Sequence, residues 1–272
     1  MAENDAWSSE RPWPVARGFS SHATEELTMQ RRTFVTRTLG ATTLAVFGAA
    51  GCNAEDKPPQ PATAGPANLE PLPERKTTKI AFLLGEHANV IDTAGPWEVF
   101  QDVEVEALIG KRSPFELYTV GPSEEILSMT GGLQVKPNYS IANAPQPNVI
   151  VVPAQKATDE TRAWLRTAAA KTDVTMSVCT GAFQLARTGL LDGKAATTHH
   201  EFFDGFAKEF PKVELRRGLR FVDNGRIATA GGLTSGIDMA LHIVARYFGE
   251  ATAKATATYM EYSSEAWQSG KG

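Results

Sequence analysis

Two runs of this chain, KIAFLL (79–84) and NVIVVP (148–153), limit its fold more than any other feature, being short, continuously apolar and partly β-branched. Such runs mark strands buried on both faces, which a mostly parallel sheet with helices on each side provides. FELYTV (115–120) and VTMSV (174–178) read as further strands of the same sheet. Between them, GPWEVFQDVEVEALIG (95–110) carries Pro96 where a first helical turn tolerates it, and DETRAWLRTAAAKT (159–172) is helical by propensity. Strand alternating with helix predicts an α/β domain.

Further along, Ile237, Leu241, Val244 and Phe248 recur at helical spacing, with Ser235 and Asp238 placed as a capping box at the start of that helix. LRFVDNGRIATAG (219–231) predicts two strands turned at Asn224-Gly225. No internal repeat or second hydrophobic span breaks the pattern, so residues 78–272 are expected to form one domain. A hydrophobic content of 42% is ordinary for a globular protein. The net charge of -4 argues against nucleic acid as a partner, because phosphate binding needs a concentrated excess of Lys and Arg. The short basic cluster RRGLR (216–220) is expected to be a solvated strand edge.

The two cysteines stand in different settings. Cys52 closes RRTFVTRTLGATTLAVFGAAGC, in which paired arginines precede an apolar stretch of about a dozen residues, too short to span a bilayer. Arg31-Arg32-Thr33-Phe34-Val35 resembles a twin-arginine export signal. Ala49-Ala50-Gly51-Cys52 resembles a lipobox, at which a bacterial lipoprotein is cleaved and its new amino-terminal cysteine acylated. Residues 1–52 are therefore expected to be an upstream segment and export signal, with Met29 a candidate start, and the Pro/Ala-rich 53–77 an extended tether. The expected location is the periplasm or cell envelope, with the membrane reached only through a lipid on Cys52.

SVCTGAFQLA (177–186) sets Cys179 between a strand and a helix expected over 181–190, with Gly181 and Ala182 offering little steric hindrance. A strand-to-helix turn at the carboxyl edge of a parallel sheet is where α/β folds hold ligands and nucleophiles. The positive end of the helix is expected to lower the thiol pKa. The alternative is a buried cysteine acting as a small hydrophobe. No set of His, Cys and carboxylates has the spacing of a closed zinc site, and no cofactor is expected.

NVIDTAGPWEVF (89–100), SVCTGAFQLARTGLLDGKAATTHH (177–200) and RIATAGGLTSGIDMALHIVARYFG (226–249) together resemble the ThiJ/PfpI superfamily over residues 78–262. Within it they are most similar to isonitrile hydratases and to the ligand-sensing domains of AraC-type regulators. The resemblance implies a flavodoxin-like, glutamine amidotransferase-like sandwich, a small-molecule substrate and a homodimer. It also implies that Cys179 is the nucleophile and that Asp92, from the loop after the first strand, approaches its sulfur and exchanges a proton with it. A carboxylate capping the helix near Pro96 is the other role open to Asp92. Thr180 stands where the superfamily's proteases carry His, which disfavours peptide hydrolysis and implies a residue that orients water or stabilises an intermediate.

The oxyanion or substrate contacts implied are Ala154, Gln155, Gly181 and His199. Many members have Gly-Gly where this chain has Ala154-Gln155, so a required positive φ there would be strained, and the Gln155 amide could compensate. His200 is expected at the surface. His199-His200-Glu201 begins only twenty residues after Cys179, too near to be the His-x-Glu pair of true glutamine amidotransferases. The activity implied is hydration of an isonitrile, and the alternative is a non-catalytic small-molecule or redox-sensing domain. AraC-type regulators carry a helix-turn-helix region after this domain, whereas only a short tail follows it here, so no direct DNA contact is expected.

Overall fold

The computed structural model describes residues 69, 71–73, 75–104 and 113–270. The expected signal, including Cys52, and most of the expected tether lie outside the described residues.

β1 (Thr78–Leu83) leads into α1 (Val90–Gln101), and β2 (Phe115–Gly121) follows. A short hairpin of β3 (Leu127–Ser128) and β4 (Gln134–Val135) comes next, then β5 (Tyr139–Ser140). β6 (Val149–Val152), α2 (Asp159–Ala169), β7 (Val174–Ser177) and α3 (Gly181–Arg187) continue the alternation. β8 (Ala195–Ala196), α4 (Phe203–Glu209) and β9 (Glu214–Leu215) precede the antiparallel hairpin of β10 (Phe221–Asp223) and β11 (Ile227–Ala230), which turns at Asn224-Gly225 as expected. α5 (Ser235–Phe248) and α6 (Glu250–Tyr259) follow, and a 3-10 turn at Ala266–Gln268 with Trp267 buried completes the described domain.

The main sheet has seven strands in the order β10-β11-β7-β6-β1-β2-β5, parallel except for β10. The four strands expected from the apolar runs form the contiguous block β7-β6-β1-β2, and the expected hairpin adds β11 and β10 at its edge. The apolar runs of β1 and β6, at 80–83 and 149–152, are unbroken because both faces are covered. Ile80, Phe82, Val149, Val151, Val174 and Met176 pack into the layer that holds the apolar faces of α1 and α5. Ala81, Leu83, Ile150 and Val152 face the opposite layer with Leu165 of α2 and Leu185 of α3. The chain first winds outward from β1 to β2 and β5, then returns to the other side through β6 and β7. The reversal falls between β1 and β6, where an open α/β sheet leaves a crevice at its carboxyl edge.

Three local expectations are corrected. Pro96 lies inside α1, which starts at Val90 with the Asn89 side chain accepting from the N–H groups of Ile91 and Asp92. Pro96 packs there on Gly236 of α5, where even a methyl group would sit 3.2 Å from its ring. The capping box at Ser235 and Asp238 does not form, and the N-cap residue of α5, Thr234, makes no side-chain cap bond. Asp238 is instead fully buried and accepts from Arg220 (Nε, 2.7 Å) and Ser264 (Oγ, 2.9 Å). That pairing also revises the solvated basic edge, since Arg220 neutralises a buried carboxylate. Its neighbours Arg216 and Arg217 pair with Glu214 and Asp204.

The last residues of the expected tether lie against the domain. Leu72 is buried and its N–H donates to the Arg246 carbonyl at the end of α5. Arg75 forms a two-pronged ion pair with Asp173, which also accepts from the Tyr247 hydroxyl at 2.8 Å. Leu69 approaches Gly225 in the β10–β11 turn. These contacts all sit at the amino edge of the sheet, where β1, β7 and β11 begin.

Candidate active site

Cys179 occupies the turn between β7 and α3, at the carboxyl edge beside the crevice. Its φ is +57°, a left-handed conformation that costs a non-glycine residue about 1–2 kcal/mol. Neighbouring groups hold it there. The Cys179 N–H donates to the Gly231 carbonyl at 2.7 Å, and its own carbonyl accepts from Thr198 Oγ1 at 2.9 Å. Gly181, the first residue of α3, allows the helix to begin directly against β6. A Cβ at that position would stand 2.1 Å from the Val152 carbonyl oxygen.

Asp92 reaches the same place from α1. Because Asn89 caps that helix, the Asp92 side chain is free to turn inward, and it is fully buried. Its Oδ2 accepts from the Ala154 N–H at 3.1 Å. Oδ1 makes no hydrogen bond among the described residues, and the Cys179 thiol is the nearby group that acts on the carboxyl. Burial pushes the carboxyl up to about 7, against the smaller opposing effects of the Ala154 N–H and the thiol.

The thiol does not behave as the helix end alone suggested. Burial, and then the facing Asp92 charge, push Cys179 up to about 11. The Thr180 and Leu233 N–H groups and the Thr180 hydroxyl act the other way without prevailing. Thr180 therefore stands beside the sulfur.

The oxyanion assignments are redistributed. The Ala154 N–H is spent on Asp92, and the Gly181 N–H on the Val178 carbonyl at 2.9 Å. The Gln155 amide donates to the Leu83 carbonyl at 2.8 Å, bracing the end of β1. Ala154 does not adopt a positive φ, so the missing glycine causes no strain there. The donors that face the sulfur belong to Thr180 and to Leu233, and among the described residues neither N–H has a carbonyl acceptor. Leu233 was not anticipated. It is a partly exposed bulky residue at φ +52°, and the only trace of it in the sequence is its place after Gly231-Gly232 at the start of α5. His199 lies with its ring against Gly232 and its Nδ1 accepting from the Glu201 N–H, while His200 is exposed as expected.

A parallel α/β sheet with a left-handed cysteine on its strand-to-helix elbow, facing a buried carboxyl, defines a class of cysteine-centred α/β proteins. The chain belongs to the DJ-1/PfpI family, whose sequence profile matches residues 78–246. It is 30% identical to an isonitrile hydratase of Pseudomonas putida over 194 residues, covering 68% of this chain and 78% of that protein. It is 28% identical to the HTH-type transcriptional regulator GbdR of Pseudomonas aeruginosa over 184 residues, which are 66% of this chain and 49% of the regulator. The chain thus spans about half the length of that regulator. A crystal structure of a ThiJ/PfpI family protein from Pseudomonas syringae superposes with a TM-score of 0.62 at 24% identity, covering 76% of this chain and 84% of that one. The flavodoxin-like fold expected from the sequence is the one observed.

Proposed function

We propose that the protein is an exported, cysteine-dependent enzyme that hydrates an isonitrile to an N-substituted formamide. The observation that carries this reading is the buried Asp92 carboxyl, set at about 7, against a Cys179 thiol set at about 11. Between those values the pair holds one proton, which rests on the thiol and has the Asp92 carboxylate as its acceptor. The reaction moves that proton.

As Cys179 Sγ attacks the terminal carbon of R–N≡C, the shared proton passes through Asp92 to the same carbon, leaving the thioimidate Cys–S–CH=N–R. Water then adds across the C=N bond, its oxygen to carbon and one hydrogen to nitrogen. When the C–S bond breaks, the remaining hydroxyl proton returns to the Cys179–Asp92 pair and R–NH–CHO leaves. The sum consumes one water. Charge that builds on sulfur meets the Thr180 and Leu233 N–H groups, and the Thr180 hydroxyl is placed to orient the water.

The similarity to the Pseudomonas putida hydratase supports the substrate class. Export and acylation at Cys52 rest on the twin-arginine-like and lipobox-like motifs, and a homodimer rests on the family resemblance. A second reading, a sensing domain without turnover, is favoured by the similarity to GbdR and by a thiol that stays protonated at rest.

Purified protein incubated with cyclohexyl isocyanide is expected to yield N-cyclohexylformamide, and Cys179→Ala to yield none. Product from the alanine variant would sink the thioimidate route. No product from either would favour the sensing domain.

A further inference from the structure

We infer that His199 is a positioning residue of the thiol site: its ring fills the space over Gly232 and so holds the Gly231–Leu233 segment in the shape that turns the Leu233 N–H onto Cys179 Sγ. The inference rests on Cys179 being the reactive thiol, and not on the identity of its substrate.

Two main-chain contacts tie this segment to the elbow. The Gly231 carbonyl accepts the Cys179 N–H at 2.7 Å, and the Leu233 N–H faces the sulfur. Gly232 lies between them, where the chain has to turn. A Cβ built on Gly232 would stand 2.3 Å from His199 Cδ2 and 3.0 Å from Nε2, so the imidazole occupies the place a side chain would take. The segment leaves Leu233 at φ +52°, which a bulky residue holds only under constraint from its surroundings. The ring supplies that constraint from the open side.

His199 is itself braced. Its Nδ1 accepts the Glu201 N–H at 3.3 Å, which places the proton of the neutral ring on Nε2. The His200 ring stacks on it at 4.5 Å, and the Phe202 ring meets it edge-on at 5.8 Å. The preceding residue, Thr198, donates to the Cys179 carbonyl. Two consecutive residues therefore grip the elbow from one side and back the facing loop from the other.

Alkylation of the full chain by iodoacetamide across pH, with Cys179→Ala as the blank for Cys52, reports the ionisation of Cys179 without any isonitrile. His199→Ala is expected to slow alkylation about three- to tenfold at pH 8, the effect of losing one hydrogen bond to the thiolate, and to move the ionisation midpoint upward. His199→Gln keeps an acceptor for the Glu201 N–H but lacks the ring, and is expected to be slow as well. His199→Phe refills the space over Gly232 and is expected to restore the rate to within about twofold of wild type, since only the packing has been replaced. Unchanged rates in the alanine and glutamine variants would overturn the inference. So would a phenylalanine variant as slow as alanine, which would assign the effect to a ring nitrogen. These rates stand whether or not the protein turns over isonitriles, so the two proposals fail separately.

Discussion

Asp92→Asn is expected to lower turnover of an isonitrile by a factor of about 10²–10⁴, the usual contribution of a positioned acid–base group. Asparagine can still accept the Ala154 N–H, so the loop keeps its anchor while the proton relay is lost. In the wild type, kcat/KM should rise as pH passes about 7, where the pair drops from two protons to one. The rise should be absent in the variant. A wild-type profile flat from pH 5 to 9, or an asparagine variant with ordinary turnover, would remove Asp92 from the mechanism.

The same substitution has an opposite effect on stability. Unfolded, the Asp92 carboxyl gives up its proton near 3.8, but folded it keeps the proton until about 7. Between those values ionisation favours only the unfolded chain, so the folded state loses stability as pH rises through the window, by up to about 4 kcal/mol. Below it the carboxyl is neutral in both states and nothing is lost. Asp92→Asn is therefore expected to unfold at a higher temperature than wild type at pH 8 and to show no such gain at pH 4. Matched thermal melts at the two pH values check the sign, and a variant less stable than wild type at pH 8 would contradict it.

Gly181→Ala is expected to be among the most damaging small substitutions in the domain. Its Cβ would stand 2.1 Å from the Val152 carbonyl oxygen and 2.9 Å from that of Pro153, both main-chain atoms of a central strand and its end. Neither can swing aside as a side chain would, so α3 must move as a body. The cost is about 3 kcal/mol or more, the upper range for overpacking. Gly193→Ala is the control. It sits at φ +71° with nothing within 4 Å, and should lose only about 1 kcal/mol, through the backbone conformation alone. Urea unfolding of the two variants separates a clash from an unfavourable φ, and equal losses would show that α3 yields easily.

The sheet's middle could be read from the sequence because strands covered on both faces leave unbroken apolar runs. β3, β4, β5, β8 and β9 could not, since each has only two residues and carries no period. Cys179 and Asp92 were legible as chemistry, one from the elbow and the other from the resemblance. The ionisation of the thiol was not, because it follows from how completely the fold buries the sulfur and how closely Asp92 faces it. The partners of the expected donors were hidden for a similar reason. Ala154, Gln155 and Gly181 each lie near the sulfur in sequence or in the fold, but nearby acceptors take up their N–H groups. The Leu233 N–H comes beside the sulfur through a backbone conformation that its side chain gives no hint of.

The docked strap at Leu72 and Arg75 fixes the rim at which the chain ahead of it joins the domain. Whatever is joined to the chain ahead of Leu69 enters at the rim where the strands begin, and the thiol opens at the rim where they end. A resin, a fusion partner or a lipid bilayer reached through that end would grip the molecule from behind. A solute bound for Cys179 would approach the opposite rim.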